Sequence, residues 1–177
     1  MRYGSRLARV EQMVPRCRIV ADIGSDHGML ACRLIETGRA QQVIAVEKRP
    51  GPYARTRACV RARLGGEAPV SVRLGDGLDP LEPGEVEVVV LAGMGGLTIM
   101  DILRRGMDKL GPNTLVVAQP MKHADALRRW WQESGWRVTE EGQVEDRGRR
   151  YEVMAAMKPD APGESFFRSF RCRAESR

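Results

Sequence analysis

Short apolar runs alternate with amphipathic segments along most of the chain, and this pattern predicts strands and helices in turn. Predicted strands cover residues 18–23, 42–46, 70–74, 86–91 and 115–118, and predicted helices cover 5–14, 29–37, 50–64, a segment from about 97, and 123–134. Two more strands, 136–140 and 151–157, predict a terminal antiparallel pair joined by a polar, arginine-rich loop over 141–150. This order is typical of an α/β domain with a doubly wound, mostly parallel seven-stranded sheet.

The first predicted strand ends in a turn with the pattern Asp22-x-Gly24-x-Asp26-x-Gly28. Glycines at a strand-to-helix turn allow a ligand to approach the backbone, which predicts a nucleoside cofactor site. A dinucleotide site would carry G-x-G-x-x-G here. The Asp26 carboxylate would repel a pyrophosphate but attract the sulfonium and ammonium of S-adenosylmethionine (SAM), so charge favours SAM over NAD. Alternatively the turn is only structural, and Asp26 or Ser25 caps the next helix.

Acidic residues also follow the second and third predicted strands. Glu47 lies roughly 20 residues beyond the glycine turn, where α/β nucleotide sites bind ribose hydroxyls. Asp76, between Gly75 and Gly77, is predicted at the same sheet edge, where it could bind the adenine amino group. The alternatives are a solvent-facing carboxylate for Glu47 and a turn-forming residue for Asp76. Lys48, next to Glu47, is included in the predicted cofactor site.

The fourth predicted strand is nearly all apolar and runs into Ala92-Gly93-Met94-Gly95-Gly96. Glycines at this edge predict that a large ligand comes close to the main chain, and Ala92 and Gly93 are assigned to the cofactor site. In the alternative, the glycines only let the next helix pack tightly on the strand.

Arginine dominates the charge of the chain, which carries a formal +6 with a pI near 9.5. Because guanidinium groups bind phosphate bidentately, this suggests a polyanionic partner such as nucleic acid. Base composition or thermal adaptation also produces arginine-rich surfaces. The arginines expected to contact phosphates are Arg6, Arg9, Arg55, Arg57 and those in 147–150.

Cysteine usage indicates a reducing compartment. Cys17, Cys32, Cys59 and Cys172 are far apart and form no C-x-x-C pair, which predicts free thiols. With only two histidines beside them, no metal site is predicted. Neither a signal peptide nor a membrane span is recognisable, so we expect a cytoplasmic protein with no membrane partner.

Several motifs occur in order over residues 5–157: DIGSDHG, VEKRPGP, RLGDGL, LAGMGG, AQP, LRRWW and RRYEVM. Together they resemble the bacterial tRNA (adenine(22)-N1)-methyltransferase family. The resemblance implies a class I Rossmann-like methyltransferase fold, SAM as the donor and N1 of a tRNA adenosine as the acceptor. It also implies a role for each matching position: Asp22, Gly24, Ser25 and Asp26 at the methionine end of SAM with His27 beside them, Glu47 at the ribose, Asp76 and Gly77 at the adenine, and Gly93, Met94 and Gly95 in the target-base pocket.

Adenine N1 carries an in-plane lone pair that can attack the sulfonium methyl directly, so the enzyme mainly aligns the reactants and excludes water. Asp26, Met94 and Gly95 are the predicted catalytic residues. Asp26 or His27 could orient the adenine or take a proton from its amino group afterwards. In the alternative, Asp26 only binds SAM and His27 only packs or caps.

The chain departs from the family pattern in two places. His27-Gly28-Met29-Leu30-Ala31 replaces the usual HAYLP. We also expect a basic tail at 159–177 after a methyltransferase domain at 1–158, in place of the family's helical C-terminal domain. Two alternative functions therefore stand beside tRNA methylation. One is methylation of another RNA or a small molecule, and the other is a SAM-binding or RNA-binding module without turnover.

Overall fold

A seven-stranded sheet with helices on both faces forms the protein in the computed structural model, which describes residues 3–158. The helices are α1 (Ser5–Met13), α2 (Met29–Glu36), α3 (Pro50–Leu64), α4 (Gly96–Arg105) and α5 (Ala124–Glu133). The strands are β1 (Cys17–Ile23), β2 (Ala40–Glu47), β3 (Val70–Leu74), β4 (Val88–Met94), β5 (Leu115–Pro120), β6 (Arg137–Asp146) and β7 (Arg149–Met157).

The sheet order is β3-β2-β1-β4-β5-β7-β6, with β1 to β5 parallel and β7 antiparallel to both β5 and β6. The predicted fold class is therefore confirmed. Because the order reverses between β1 and β4, the crevice for a ligand opens at the carboxyl ends of these two strands.

Alternate strand residues face two separate cores, as the two-residue period of a strand requires. Val20 and Val90 pack with Leu34 on one face of the sheet, beneath α1 and α2. Ala21 and Leu91 pack on the other face, beneath α4 and α5. Asp22 follows Val20 by two positions and therefore shares its face at the end of β1.

Two predicted element boundaries were wrong. β4 begins at Val88 and continues through Met94, so residues 92–94 belong to a strand that bulges at Gly93 rather than to a turn. The predicted loop at 141–150 is instead a β-hairpin whose strands run to a two-residue turn, Arg147-Gly148. Both turn residues have positive φ (54° and 71°), which matches the twist of a tight hairpin.

Candidate active site

A cavity of about 490 Å³ lies at the crevice, between α1, α2, the carboxyl ends of β1 and β4, and the tip of the β6–β7 hairpin. Eight of the residues assigned to the site from sequence line it: Asp22, Gly24, Ser25, Asp26, His27, Ala92, Gly93 and Met94. Six others lie outside its lining: Glu47, Lys48, Gly75, Asp76, Gly77 and Gly95. All but Gly95 lie at or just beyond the carboxyl ends of the neighbouring strands β2 and β3.

Asp22 is the most perturbed charged group of the cavity. It is 3% exposed, and burial raises the pKa of its carboxyl to about 7, with the nearby Glu47 charge adding to the effect. Its Oδ2 atom and the Ser25 hydroxyl are buried without a hydrogen-bond partner among residues 3–158. A buried acceptor of this kind needs a donor, and a ligand ammonium group supplies both donors and the opposite charge. Asp22 therefore fits the methionine end of SAM.

The turn after β1 bends through residues in the left-handed region. Gly24, Asp26 and Gly28 have φ of 70°, 55° and 67°, and the Gly24 N–H donates to the carbonyl of Val46 on β2 at 2.9 Å. Asp26 is the residue for which this conformation is costly, since it has a Cβ. Its side chain is 66% exposed and lies near Arg55 (3.5 Å) and His27 (3.6 Å).

Glu47 ends β2 with a buried carboxylate that is 4% exposed. The buried hydroxyl of Thr56 donates to its Oε1 at 3.2 Å. Burial raises the pKa of Glu47, whereas the Thr56 hydroxyl and the main-chain amide of Asp26 oppose that rise.

The Gly75 N–H donates to the Glu47 carbonyl at 2.9 Å and thereby brings the turn after β3 beside β2. There the Asp76 carboxylate accepts from Lys48 at 2.8 Å and from Arg105 at 3.4 Å. The Lys48 hydrogen bond is the main reason that the pKa of Asp76 is lowered. Lys48 and Asp76 are thus paired with each other, and Arg105 is a member of this group that sequence analysis missed.

The three glycines between the end of β4 and the start of α4, which are Gly93, Gly95 and Gly96, differ in role. A Cβ on Gly96 would collide with the main chain at His123, so Gly96 allows α4 to pack against the turn after β5. Gly93, with φ of 80°, lines the cavity and donates its N–H to Gln119 at 3.1 Å. Gly95 precedes α4, and an added Cβ there would meet only the Thr98 hydroxyl at 3.8 Å. Gly96 therefore has the packing role given above as the alternative to ligand binding.

Arg6 enters the cavity from α1, and its environment could not be recognised from sequence. Its Nη1 donates to Oε1 of Gln119, which is fully buried at the end of β5, and its guanidinium lies 5.8 Å from the centre of the Tyr151 ring. Gln119 Nε2 donates to the Pro120 carbonyl at 3.0 Å. No carboxylate among residues 3–158 forms an ion pair with Arg6, so its charge is available to an anionic ligand. In the sequence, Gln119 was marked only by its place in the AQP motif, residues 118–120.

The hairpin tip also lines the cavity, through Asp146, Arg147 and Tyr151. Asp146 accepts a hydrogen bond from the Arg6 main-chain N–H at 3.4 Å, at the start of α1, where the helix dipole favours a negative charge. The hairpin and α1 therefore close one side of the cavity together.

Within residues 3–158, no three His, Cys, Asp or Glu side chains are grouped so that they could hold a metal ion. No helix in the same part of the chain is long and apolar enough to cross a membrane. The basic tail assigned to 159–177, with Cys172, lies outside the described residues.

A family model described as a methyltransferase domain matches residues 3–154. The tRNA (adenine(22)-N(1))-methyltransferase of Bacillus subtilis is 35% identical over 160 residues, covering 90% of this chain and 67% of that protein. A putative tRNA methyltransferase of Mycoplasma pneumoniae is 33% identical over 142 residues, covering 79% of this chain and 63% of that protein.

Solved structures agree with the sequence matches. The crystal structure of the B. subtilis m1A22 tRNA methyltransferase TrmK gives a TM-score of 0.84 at 34% identity, over 90% of this chain and 68% of that one. A putative tRNA (m1A22) methyltransferase of Streptococcus pneumoniae in complex with SAM gives 0.83 at 33% identity, over 93% of this chain and 77% of that one. Fold and site together define a SAM-dependent methyltransferase of class I. More narrowly, the chain belongs to the tRNA (adenine(22)-N1)-methyltransferase family, as its motifs predicted.

Proposed function

We propose that this chain transfers a methyl group from SAM to N1 of adenosine 22 in tRNA. The observation that carries the proposal is a cavity in which a buried carboxylate oxygen without a donor (Asp22 Oδ2), a guanidinium without an ion pair (Arg6) and the glycine bulge of β4 meet. The relatives with the best-defined substrate act on this nucleotide and share the fold over most of the chain.

The cofactor would be held by two opposite charges at its amino-acid end. Asp22 accepts from the ammonium, and the Arg6 guanidinium, oriented by Gln119, binds the carboxylate. Glu47 binds the ribose hydroxyls, and the turn of Gly75, Asp76 and Gly77, with Lys48 nearby, adjoins the adenine. When bound, SAM supplies a methyl group on a sulfonium, an electrophile that needs no metal.

The acceptor base would enter beside Gly93, Met94 and Gly95. Met94 lines the cavity and lies against the glycine turn, since its Cε is 3.1 Å from the position that a Cβ on Gly24 would take. Methylation at N1 gives adenine a positive charge. The exposed Asp26 carboxylate stabilises that charge and accepts a proton from the amino group, while His27 beside it helps to orient the base.

The tip of the β6–β7 hairpin would bind RNA phosphates. Arg147, Arg149 and Arg150 are exposed and form no ion pair among residues 3–158, whereas Arg9 pairs with Glu140 at 2.8 Å. Replacing Arg147 and Arg149 with alanine should weaken tRNA binding and flatten its salt dependence by about 0.9 log units per log unit of salt for each lost phosphate contact.

Arg18→Ala is the control for the hairpin variant. Arg18 lies at the amino end of β1, away from the carboxyl ends of the strands where the hairpin tip lies, and it pairs with Glu87 at 2.8 Å. If the salt dependence of tRNA binding has the same slope for the wild type and the hairpin variant, the hairpin tip does not bind RNA phosphates.

The methyltransferase domain would comprise residues 1–158, with 159–177 as a basic tail. The chain spans about two thirds of the B. subtilis relative (67%). Because tRNA is a cytoplasmic molecule, the proposal also makes the enzyme cytoplasmic.

The test is transfer of labelled methyl from SAM to an unmodified tRNA transcript at low salt, followed by digestion to nucleosides. We expect 1-methyladenosine, and none from a transcript with guanosine at position 22. A label on another nucleotide or on a small metabolite would refute the proposal and support a different methyltransferase. Binding of SAM without transfer to any RNA would support a binding module.

A further inference from the structure

The carboxylate of Glu47 is held from outside its own strand. Thr56, in the middle of α3, is fully buried (0% exposed), and its hydroxyl donates to Glu47 Oε1 at 3.2 Å. Threonine is a poor helix former, and its hydroxyl usually bonds a carbonyl of the preceding turn when it lies within a helix. Here the hydroxyl is directed to an acidic residue nine positions earlier, so burial of this polar group serves a contact between elements.

Thr56 also touches the glycine turn. A Cβ built on Gly28 would lie 3.1 Å from Thr56 Cγ2 and 3.2 Å from its carbonyl oxygen, so the turn and α3 are in close contact. The main-chain amide of Asp26, the residue with φ of 55°, faces the Glu47 carboxylate from the same turn. One side chain of α3 thus contacts the turn through its methyl group and reaches Glu47 through its hydroxyl.

We propose that Thr56 is a positioning residue of the cofactor site, which holds the Glu47 carboxylate in place through its hydroxyl and supports the turn that carries Asp26 through its methyl group. This inference rests on the proposed SAM-dependent function.

The charges around Glu47 determine the direction of the expected effect. Asp22 on β1 and Asp26 in the turn are acidic neighbours, and Arg55 on α3 is the basic one. A hydrogen bond from Thr56 favours the ionised carboxylate, so its loss raises the pKa of Glu47 further above its usual value. A protonated Glu47 is a weaker acceptor for ribose hydroxyls, and cofactor affinity is then lost at a higher pH.

The test compares Thr56→Val, which keeps the shape but removes the hydroxyl, with Thr56→Ser, which keeps the hydroxyl but removes the methyl group. Affinity for S-adenosylhomocysteine is measured by calorimetry from pH 5.5 to 8.5. Thr56→Val should bind about tenfold more weakly than the wild type, whereas Thr56→Ser should keep the wild-type affinity. Thr98→Val, at an exposed position on α4, is the matched control.

A second readout does not depend on the ligand. The pKa of Glu47 is measured by carboxyl carbon NMR, with the resonance assigned by its absence in Glu47→Gln, and it should rise in Thr56→Val only. If Thr56→Val lowers the melting temperature but leaves both the NMR pKa of Glu47 and the affinity for S-adenosylhomocysteine unchanged, Thr56 is only a packing residue and the inference is wrong. Failure of the wild type to bind S-adenosylhomocysteine would instead refute the proposed function.

Discussion

Asp22→Asn should stabilise the ligand-free protein while weakening its cofactor site. In the fold the pKa of Asp22 is raised from 3.8 to about 7 because the carboxyl is buried. At 1.36 kcal/mol per pKa unit, ionised Asp22 reduces the free energy of unfolding by about 4 kcal/mol above pH 7. Asparagine has nearly the same shape and no charge to bury.

The sign of the pH dependence follows from linkage. Between pH 3.8 and about 7 the folded state holds a proton that the unfolded state has lost, so wild-type stability falls as pH rises through this window. Asp22→Asn has no carboxyl group at this position, so its stability should not fall in this way as the pH rises. Its melting temperature should exceed that of the wild type by about 10 °C at pH 8, with a gap that shrinks as the pH falls toward 4.

Ionisation of Asp22, which destabilises the ligand-free fold, should strengthen binding of the cofactor. An ammonium group stabilises ionised Asp22, so binding of S-adenosylhomocysteine to the wild type below pH 7 should release about one proton, and affinity should fall with decreasing pH. Calorimetry in buffers of different ionisation enthalpy measures that proton, and Asp22→Asn should release none and bind at least about tenfold more weakly at pH 8. A wild-type affinity that is constant from pH 5.5 to 8 with no proton release would refute the role of Asp22.

Three further substitutions test other parts of the site. In calorimetry, Arg6→Ala should weaken binding of S-adenosylhomocysteine about tenfold. The same variant should bind methylthioadenosine as the wild type does, because this ligand lacks the amino-acid end. Arg9→Ala, the control, should change the affinity for neither ligand. Gly96→Ala should destabilise the fold by more than about 3 kcal/mol in urea unfolding, whereas Gly95→Ala should fold normally, so equal stabilities would contradict the packing role. Asp26→Ala should abolish methylation of tRNA with SAM binding largely retained, and wild-type turnover in this variant would exclude a catalytic role.

Sequence periodicity determined the order of the elements. The bounds predicted for the third helix (50–64) and third strand (70–74) match α3 and β3, because a proline-containing first turn, a terminal glycine and an apolar run are local signals. The carboxyl ends of parallel strands meet at one edge of the sheet, so residues that follow strands could be assigned to one site before any contact was known. By this rule Asp22, Glu47 and Asp76 were predicted at the carboxyl edge of the sheet, and the structure places them at the ends of β1, β2 and β3.

The structure alone decided which groups meet across the chain. Arg6 and Gln119 are 113 residues apart, and nothing in the sequence near either one specifies the other. The hairpin tip was mistaken for a loop, because its polar strands face solvent and lack an apolar alternation. Periodicity reports which face of an element is buried, whereas the partner of a buried polar group depends on how elements pack. Tertiary packing therefore placed the Thr56 hydroxyl on Glu47 and left Oδ2 of Asp22 without a hydrogen-bond donor among residues 3–158.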